Sequence, residues 1–166
     1  MKTLIGAVLL SVASVAHAQV PTDVQQAYEA AELAYSVMQS SEWAADLKLD
    51  HCYLSWETAL CERDLCFDAF WLSQGDMDKG AGDLWDQDAF MHAASGWEGQ
   101  QRGNQRWAAA LAAENSGQWQ SAITNYYWAA TEYTAAATQY DNAAEDWGYA
   151  IFEYDQATAN YIAGQP

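Results

Sequence analysis

The chain has 166 residues, of which 51% are hydrophobic, and it carries 23 aspartates and glutamates against 6 lysines and arginines. The formal net charge of −17 argues against binding to nucleic acid or anionic lipid, because both have the same sign of charge. Length and hydrophobic content are sufficient for one domain with a sizeable core. The charge is explained by solubility alone, or by a preference for cations and basic proteins.

The first 18 residues have the pattern of a secretory signal peptide. Lys2 gives the positive start, an apolar run extends from Leu4 to Val15, and small residues form a cleavage site at 16–18. The apolar run is too short to cross a bilayer of about 30 Å. The sequence therefore predicts a mature chain, residues 19–166, that is exported to the periplasm or out of the cell and folds as a single helical domain.

Residues 22–73 are rich in alanine and nearly free of glycine and proline, which predicts a long helical segment. Large side chains recur every seventh residue but are interrupted by Glu42 and Arg63. We therefore expect this helix to kink or split near Ser40 and Ser41, because serine is a good cap for a new helix.

The three cysteines, Cys52, Cys61 and Cys66, fall in this first segment. An odd number in an exported protein leaves one thiol free or shared between chains. In one continuous helix Cys52 and Cys66 would stand about 21 Å apart, whereas a disulfide needs Cα atoms within about 7 Å. A disulfide within the chain therefore requires a break in the helix. Otherwise the thiols are buried or link two chains.

Residues 74–117 contain seven of the ten glycines, which predicts a flexible region with short helices near 84–95 and 98–115. Aspartates cluster at its start: Asp76, Asp78, Asp83 and Asp86. Carboxylates between glycines suit weak calcium binding, although the order of an EF-hand loop is absent. A solvated acidic loop is the alternative, and no other cofactor is predicted.

Three tryptophans of this middle region, Trp85, Trp97 and Trp107, are candidates for ligand binding. Flat aromatic faces stack on sugar rings, and burial in a core is the alternative. They support a second hypothesis, in which the protein binds a sugar, a peptide or calcium.

Residues 118–164 carry two rows with a spacing of seven, which predict a helix from about Trp119 to about Ala163. We call one the aromatic stripe: Trp119, Tyr126, Tyr133, Tyr140, Trp147, Tyr154 and Tyr161. We call the other the alanine row: Ala122, Ala129, Ala136, Ala143, Ala150 and Ala157. Together the two rows form a predicted interaction seam.

Close packing favours large side chains against small ones, so the seam predicts an antiparallel partner helix. The first segment offers such a partner, as does a second copy of the chain. The predicted fold is an all-α, elongated helical bundle of three to five helices, resembling an antiparallel coiled coil.

No catalytic motif surrounds the histidines that remain after processing, His51 and His92. The leading hypothesis is an exported, non-enzymatic protein that acts in protein–protein interaction or self-assembly. Its expected partner is itself, or another helical or basic protein. Ligand binding is the first alternative, and a small hydrolase is the second.

Overall fold

The computed structural model describes residues 20–166, so the predicted signal peptide lies outside the described residues. Three helices form it: α1 (Thr22–Arg63), α2 (Ala69–Asn115) and α3 (Trp119–Ala163). They include 91% of the described residues, among which there is no strand. Helices of this length extend about 63 to 70 Å. The prediction of an elongated all-α bundle is therefore confirmed.

Two short turns reverse the chain. At the first, the Asp68 carboxylate accepts hydrogen bonds from the backbone N–H groups of Phe70 (2.9 Å) and Trp71 (3.2 Å) and so caps α2. At the second, Gly117 has φ +69°, a left-handed conformation that glycine adopts without strain. Because each turn reverses direction, α2 runs antiparallel to its neighbours, and α1 and α3 run parallel.

The C-terminal end of α3 is tied to the first turn. The backbone N–H groups of Phe67 and Asp68 donate to the carbonyl of Gly164, at 3.1 and 3.2 Å. This contact closes one end of the bundle and fixes how far α3 extends along the hairpin of α1 and α2.

The central element is α3, which packs along both other helices, whereas α1 and α2 hardly touch each other. The alanine row and the aromatic stripe from Tyr126 to Tyr161 are buried, and Trp119 is partly buried. The bounds predicted for this helix are confirmed. The seam is thus covered within one chain.

The antiparallel partner of the aromatic stripe is α2. Its buried face has glycine or alanine at every seventh residue, and we call this set the glycine row: Gly75, Gly82, Ala89, Gly96, Gly103 and Ala110. The rings of Tyr161, Tyr154, Tyr140 and Tyr133 lie against the four glycines in that order. An increase of seven in residue number along α2 therefore corresponds to a decrease of seven along α3. Large side chains of α3 fill the space left by the small residues of α2.

The predicted short helices near 84–95 and 98–115 are wrong, because α2 is one helix that continues through six of these glycines. Each glycine costs a helix roughly 1 kcal/mol relative to alanine. At four of the six glycines, burial of a tyrosine ring against the bare Cα offsets that cost, since such a side chain contributes about 1.5 to 3 kcal/mol when it is buried. Tertiary packing thus overrides local propensity here.

The predicted kink near Ser40 and Ser41 is also wrong, because α1 is continuous to Arg63 and Ser41 is buried within it. The polar interruptions are accommodated by partners on α2. Glu42 accepts a hydrogen bond from Gln100 (3.4 Å), and Arg63 forms an ion pair with an aspartate of α2 (2.7 Å). The helical segment predicted over 22–73 is therefore divided, because α1 ends at Arg63 and α2 begins six residues later, at Ala69.

The expectation that α1 is an antiparallel partner of α3 is also wrong. The ring of Tyr28 is 5.5 Å from that of Tyr126, and the ring of Tyr35 is 5.1 Å from that of Tyr133. Both residue numbers rise together, so α1 is a parallel neighbour of α3 rather than its antiparallel partner.

Among the described residues, no helix is both long and apolar enough to span a membrane.

Candidate binding groove

A groove runs between α1 and α2, and the aromatic stripe of α3 forms its floor. From Tyr126 to Tyr161, each stripe residue donates a hydrogen bond from its polar tip to a side chain of α2. The acceptors in order are Glu114, Asn104, Gln100, Asp86, Asp83 and Asp76, at 2.7 to 3.0 Å. We call these six hydrogen bonds the ladder. The ladder fixes both the register of α3 against α2 and the orientation of the rings.

The ladder also satisfies groups that would be costly to bury alone. Among residues 20–166, no buried side-chain nitrogen or oxygen lacks a hydrogen-bond partner. Burial is the main cause that raises the pKa of Tyr133 and of Tyr140 to about 12. Burial likewise raises the pKa values of Tyr126, Tyr154 and Tyr161.

These shifts predict that the bundle loses stability in alkali. A tyrosine whose folded-state pKa is raised contributes its full stability below the unfolded pKa of about 10, and that contribution is lost as the pH rises through the folded value. We expect the melting temperature to fall steeply between pH 10 and pH 12. Thermal melts and tyrosinate absorbance measured across that range should change together. A melting temperature that stays constant to pH 12 would contradict the buried ladder.

One cavity of the groove is acidic and has a volume of about 270 Å³. It is lined by Cys52, Tyr53, Trp56, Asp83, Asp86 and Tyr154. Burial, followed by the negative charge of Asp86, raises the pKa of Cys52 to about 12. This thiol therefore stays protonated near neutral pH and is a poor nucleophile.

A second cavity, of about 430 Å³, lies further along the same groove, and we call it the aromatic cavity. Its lining comes from all three helices: Glu32 and Tyr35 of α1, Asn104, Trp107, Ala108 and Leu111 of α2, and Tyr133 of α3. Rings of Tyr28 and Trp107, 5.1 Å apart, bridge the groove beyond it. Its volume is in the range of small-molecule pockets, about 300 to 1,000 Å³.

The aspartates predicted to bind calcium lie on a helix rather than in a flexible loop. Arg63 pairs with Asp76 and lowers the pKa of that carboxyl, and Lys79 pairs with Asp83 at 2.8 Å. Asp78 accepts a hydrogen bond from Asn160 (2.6 Å), and Asp86 accepts one from the ladder. Within residues 20–166, no group of three or more His, Cys, Asp and Glu side chains is placed to hold a metal ion. Weak calcium binding stays a prediction.

The three candidate tryptophans do not form one site. Trp85 packs against Tyr149 with ring centroids 4.9 Å apart, Trp97 is exposed, and only Trp107 lines the aromatic cavity. Neighbours among them stand about 15 to 18 Å apart along α2. The three tryptophans therefore line no common cavity, and ligand binding at any of them stays a prediction.

All three cysteines are free thiols in the structure. The break between α1 and α2 separates Cys61 from Cys66, so the helix break that a disulfide requires exists. Cys52 and Cys66 are buried, whereas Cys61 is exposed. A disulfide within the chain or between chains stays a prediction.

The sequence did contain a signal for residues that were missed. The glycine row has the same spacing of seven as the aromatic stripe. When the two segments are aligned antiparallel, each small residue of the glycine row lies opposite a large residue of the stripe, which indicates a packing face. Tyr35 belongs to the row of large side chains that recur every seventh residue in α1. Its position in a cavity wall depends on the gap between α1 and α2, which no local pattern encodes.

Comparison with known proteins gives no relative from which a function could be transferred. No family model matches the chain, and no curated protein or solved structure matches it significantly. The function is therefore inferred from the residues and the geometry of the bundle.

Proposed function

We propose that the protein is an exported, non-enzymatic helical protein that works by self-assembly, through the face of α2 that points away from α3. The observation that carries this proposal is a row of exposed apolar residues that we call the outer stripe: Phe70, Met77, Leu84 and Met91. Their exposed fractions lie between 56% and 66%. A helix that is apolar on both its buried and its outer face has a surface suited to a further partner.

All but one of the residues beside the outer stripe are uncharged. The flanking positions 73, 80, 87 and 94 hold Ser, Gly, Gln and Ala, and positions 74, 81, 88 and 95 hold Gln, Ala, Asp and Ser. Asp88 is thus the one charged residue among these eight positions. In so acidic a protein, such a strip lets two copies approach with few carboxylates in contact.

The outer stripe is self-complementary. In an antiparallel pair with two-fold symmetry, Phe70 of one copy faces Met91 of the other, and Met77 faces Leu84. Gly80 and Ala81 then flank the axis, where small residues allow close approach of the helices. A side chain added at Gly80 would meet nothing within 4 Å in the monomer, so this surface is open.

Charge opposes this association and gives it a salt dependence. Two chains of net charge −17 repel each other, and salt screens that repulsion. The dimer should therefore strengthen as the salt concentration rises. An interface held by ion pairs would weaken instead.

We expect the mature chain to sediment as a dimer at high salt and the double variant Met77→Glu/Leu84→Glu to sediment as a monomer. Four carboxylates, two from each copy, would be buried at the centre of the interface, where they would repel each other and lose hydration. Analytical ultracentrifugation over a range of protein and salt concentrations measures both. Circular dichroism should show unchanged helix content, because the two side chains are exposed.

The matched control is Leu33→Glu/Leu47→Glu, which adds the same two charges to exposed positions of α1. It should remain dimeric at high salt. A wild-type chain that stays monomeric at high protein and high salt would overturn the proposal. So would equal dissociation of the two double variants, since added charge rather than the outer stripe would then explain the effect.

A further inference from the structure

We propose that the aromatic cavity binds a small organic cation whose head is an alkylated ammonium group. This site is separate from the outer stripe, and the proposal does not depend on self-assembly. It follows from three features of the cavity: its aromatic walls, its single carboxylate and the apolar side chains of Ala108 and Leu111.

The walls of the cavity present several aromatic rings to one space. The ring centroids of Tyr35 and Tyr133 are 5.1 Å apart, and those of Trp107 and Tyr133 are 6.4 Å apart. The negative faces of such rings attract a cation within about 6 Å, and tryptophan attracts it most strongly. A cavity of about 430 Å³ admits a head group of this kind together with part of its chain.

The carboxylate of the cavity is Glu32. Its side chain forms none of the ion pairs or side-chain hydrogen bonds found among residues 20–166, so its charge is not neutralised by a neighbour. The net charge of −17 raises the local concentration of cations further. An anionic ligand would be repelled on both grounds.

The other lining groups favour an alkylated ammonium over a sugar. Ala108 and Leu111 offer no hydrogen bond, and the side-chain oxygen of Asn104 already accepts one from Tyr133 at 2.9 Å. A sugar would leave several of its hydroxyls unpaired against these groups. An alkylated ammonium needs only aromatic faces and a negative charge.

The test uses choline as the probe and isothermal titration calorimetry of the mature chain as the readout. The alcohol 3,3-dimethylbutan-1-ol (dimethylbutanol below) is the uncharged analogue of choline in which carbon replaces nitrogen. It has nearly the same shape as choline and tests the role of charge. Glucose tests the alternative of sugar stacking. We expect saturable binding of choline, and binding of dimethylbutanol and glucose at least about tenfold weaker.

Two variants test the residues. Glu32→Gln removes the charge at an exposed position, and Trp107→Leu removes the strongest aromatic wall; each should weaken choline binding by about tenfold. Glu29→Gln is the matched control, because Glu29 is exposed on α1 and outside the cavity. It should bind choline as the wild type does.

Four results would overturn the proposal. They are no saturable binding of choline, equal binding of choline and dimethylbutanol, preferential binding of glucose, and equal weakening by Glu29→Gln and Glu32→Gln. Because Glu32→Gln changes an exposed side chain, it tests the site even if Trp107→Leu unfolds the bundle.

Discussion

Replacement of Tyr154 by alanine is expected to lower the free energy of unfolding by about 3 to 5 kcal/mol, the range for large aromatic truncations in a core. The ring of Tyr154 is buried against Gly82, and its hydroxyl donates to Asp83 at 3.0 Å. The substitution removes the ring that fills the space beside Gly82 and leaves a cavity there. Urea unfolding followed by circular dichroism measures the loss.

Two further variants separate the ring from its hydroxyl. Tyr154→Phe keeps the ring and removes one hydrogen bond, so it should cost only about 1 kcal/mol. Thr131→Ala, at an exposed position of α3, should change stability by no more than about 0.5 kcal/mol. If the phenylalanine variant lost as much stability as the alanine variant, ring packing would not be the source of the effect.

Replacement of Gly82 by alanine is expected to destabilise the protein by about 1 to 3 kcal/mol, although the same change usually stabilises a helix. The added Cβ would lie 2.6 Å from Cε1 of Tyr154, so the ring or the helix must shift. Gly148→Ala is the control, because a Cβ there meets nothing within 4 Å. That variant should gain up to about 1 kcal/mol.

The structure shows why α3 could be predicted from sequence and α2 could not. In α3, good helix formers and a periodic apolar pattern agree, so local propensity and tertiary packing give the same answer. In α2, glycine reads locally as a helix breaker, while its spacing of seven serves packing against α3. Helix propensity depends on the residues of one segment alone. Whether a glycine stabilises the packing depends on which side chain of another helix lies opposite it.

The same distinction applies to the groove. Glu42 and Arg63 looked like interruptions because their partners, Gln100 and Asp76, belong to another helix. Trp107 could be named as a candidate from its residue type and its position outside the aromatic stripe. Glu32 could not, since only the gap between α1 and α2 brings it to the same cavity.

Rings of α3 that pack on glycines of α2 build the bundle, and the combination of Gly82→Ala with Tyr154→Ala tests this packing most directly. The free energy of unfolding is measured for the wild type, both single variants and the double variant. We predict that Gly82→Ala destabilises the wild type but is neutral or stabilising when residue 154 is alanine, because the added methyl group then enters an empty space. Additive effects of the two substitutions would contradict the register and, with it, the packing described here.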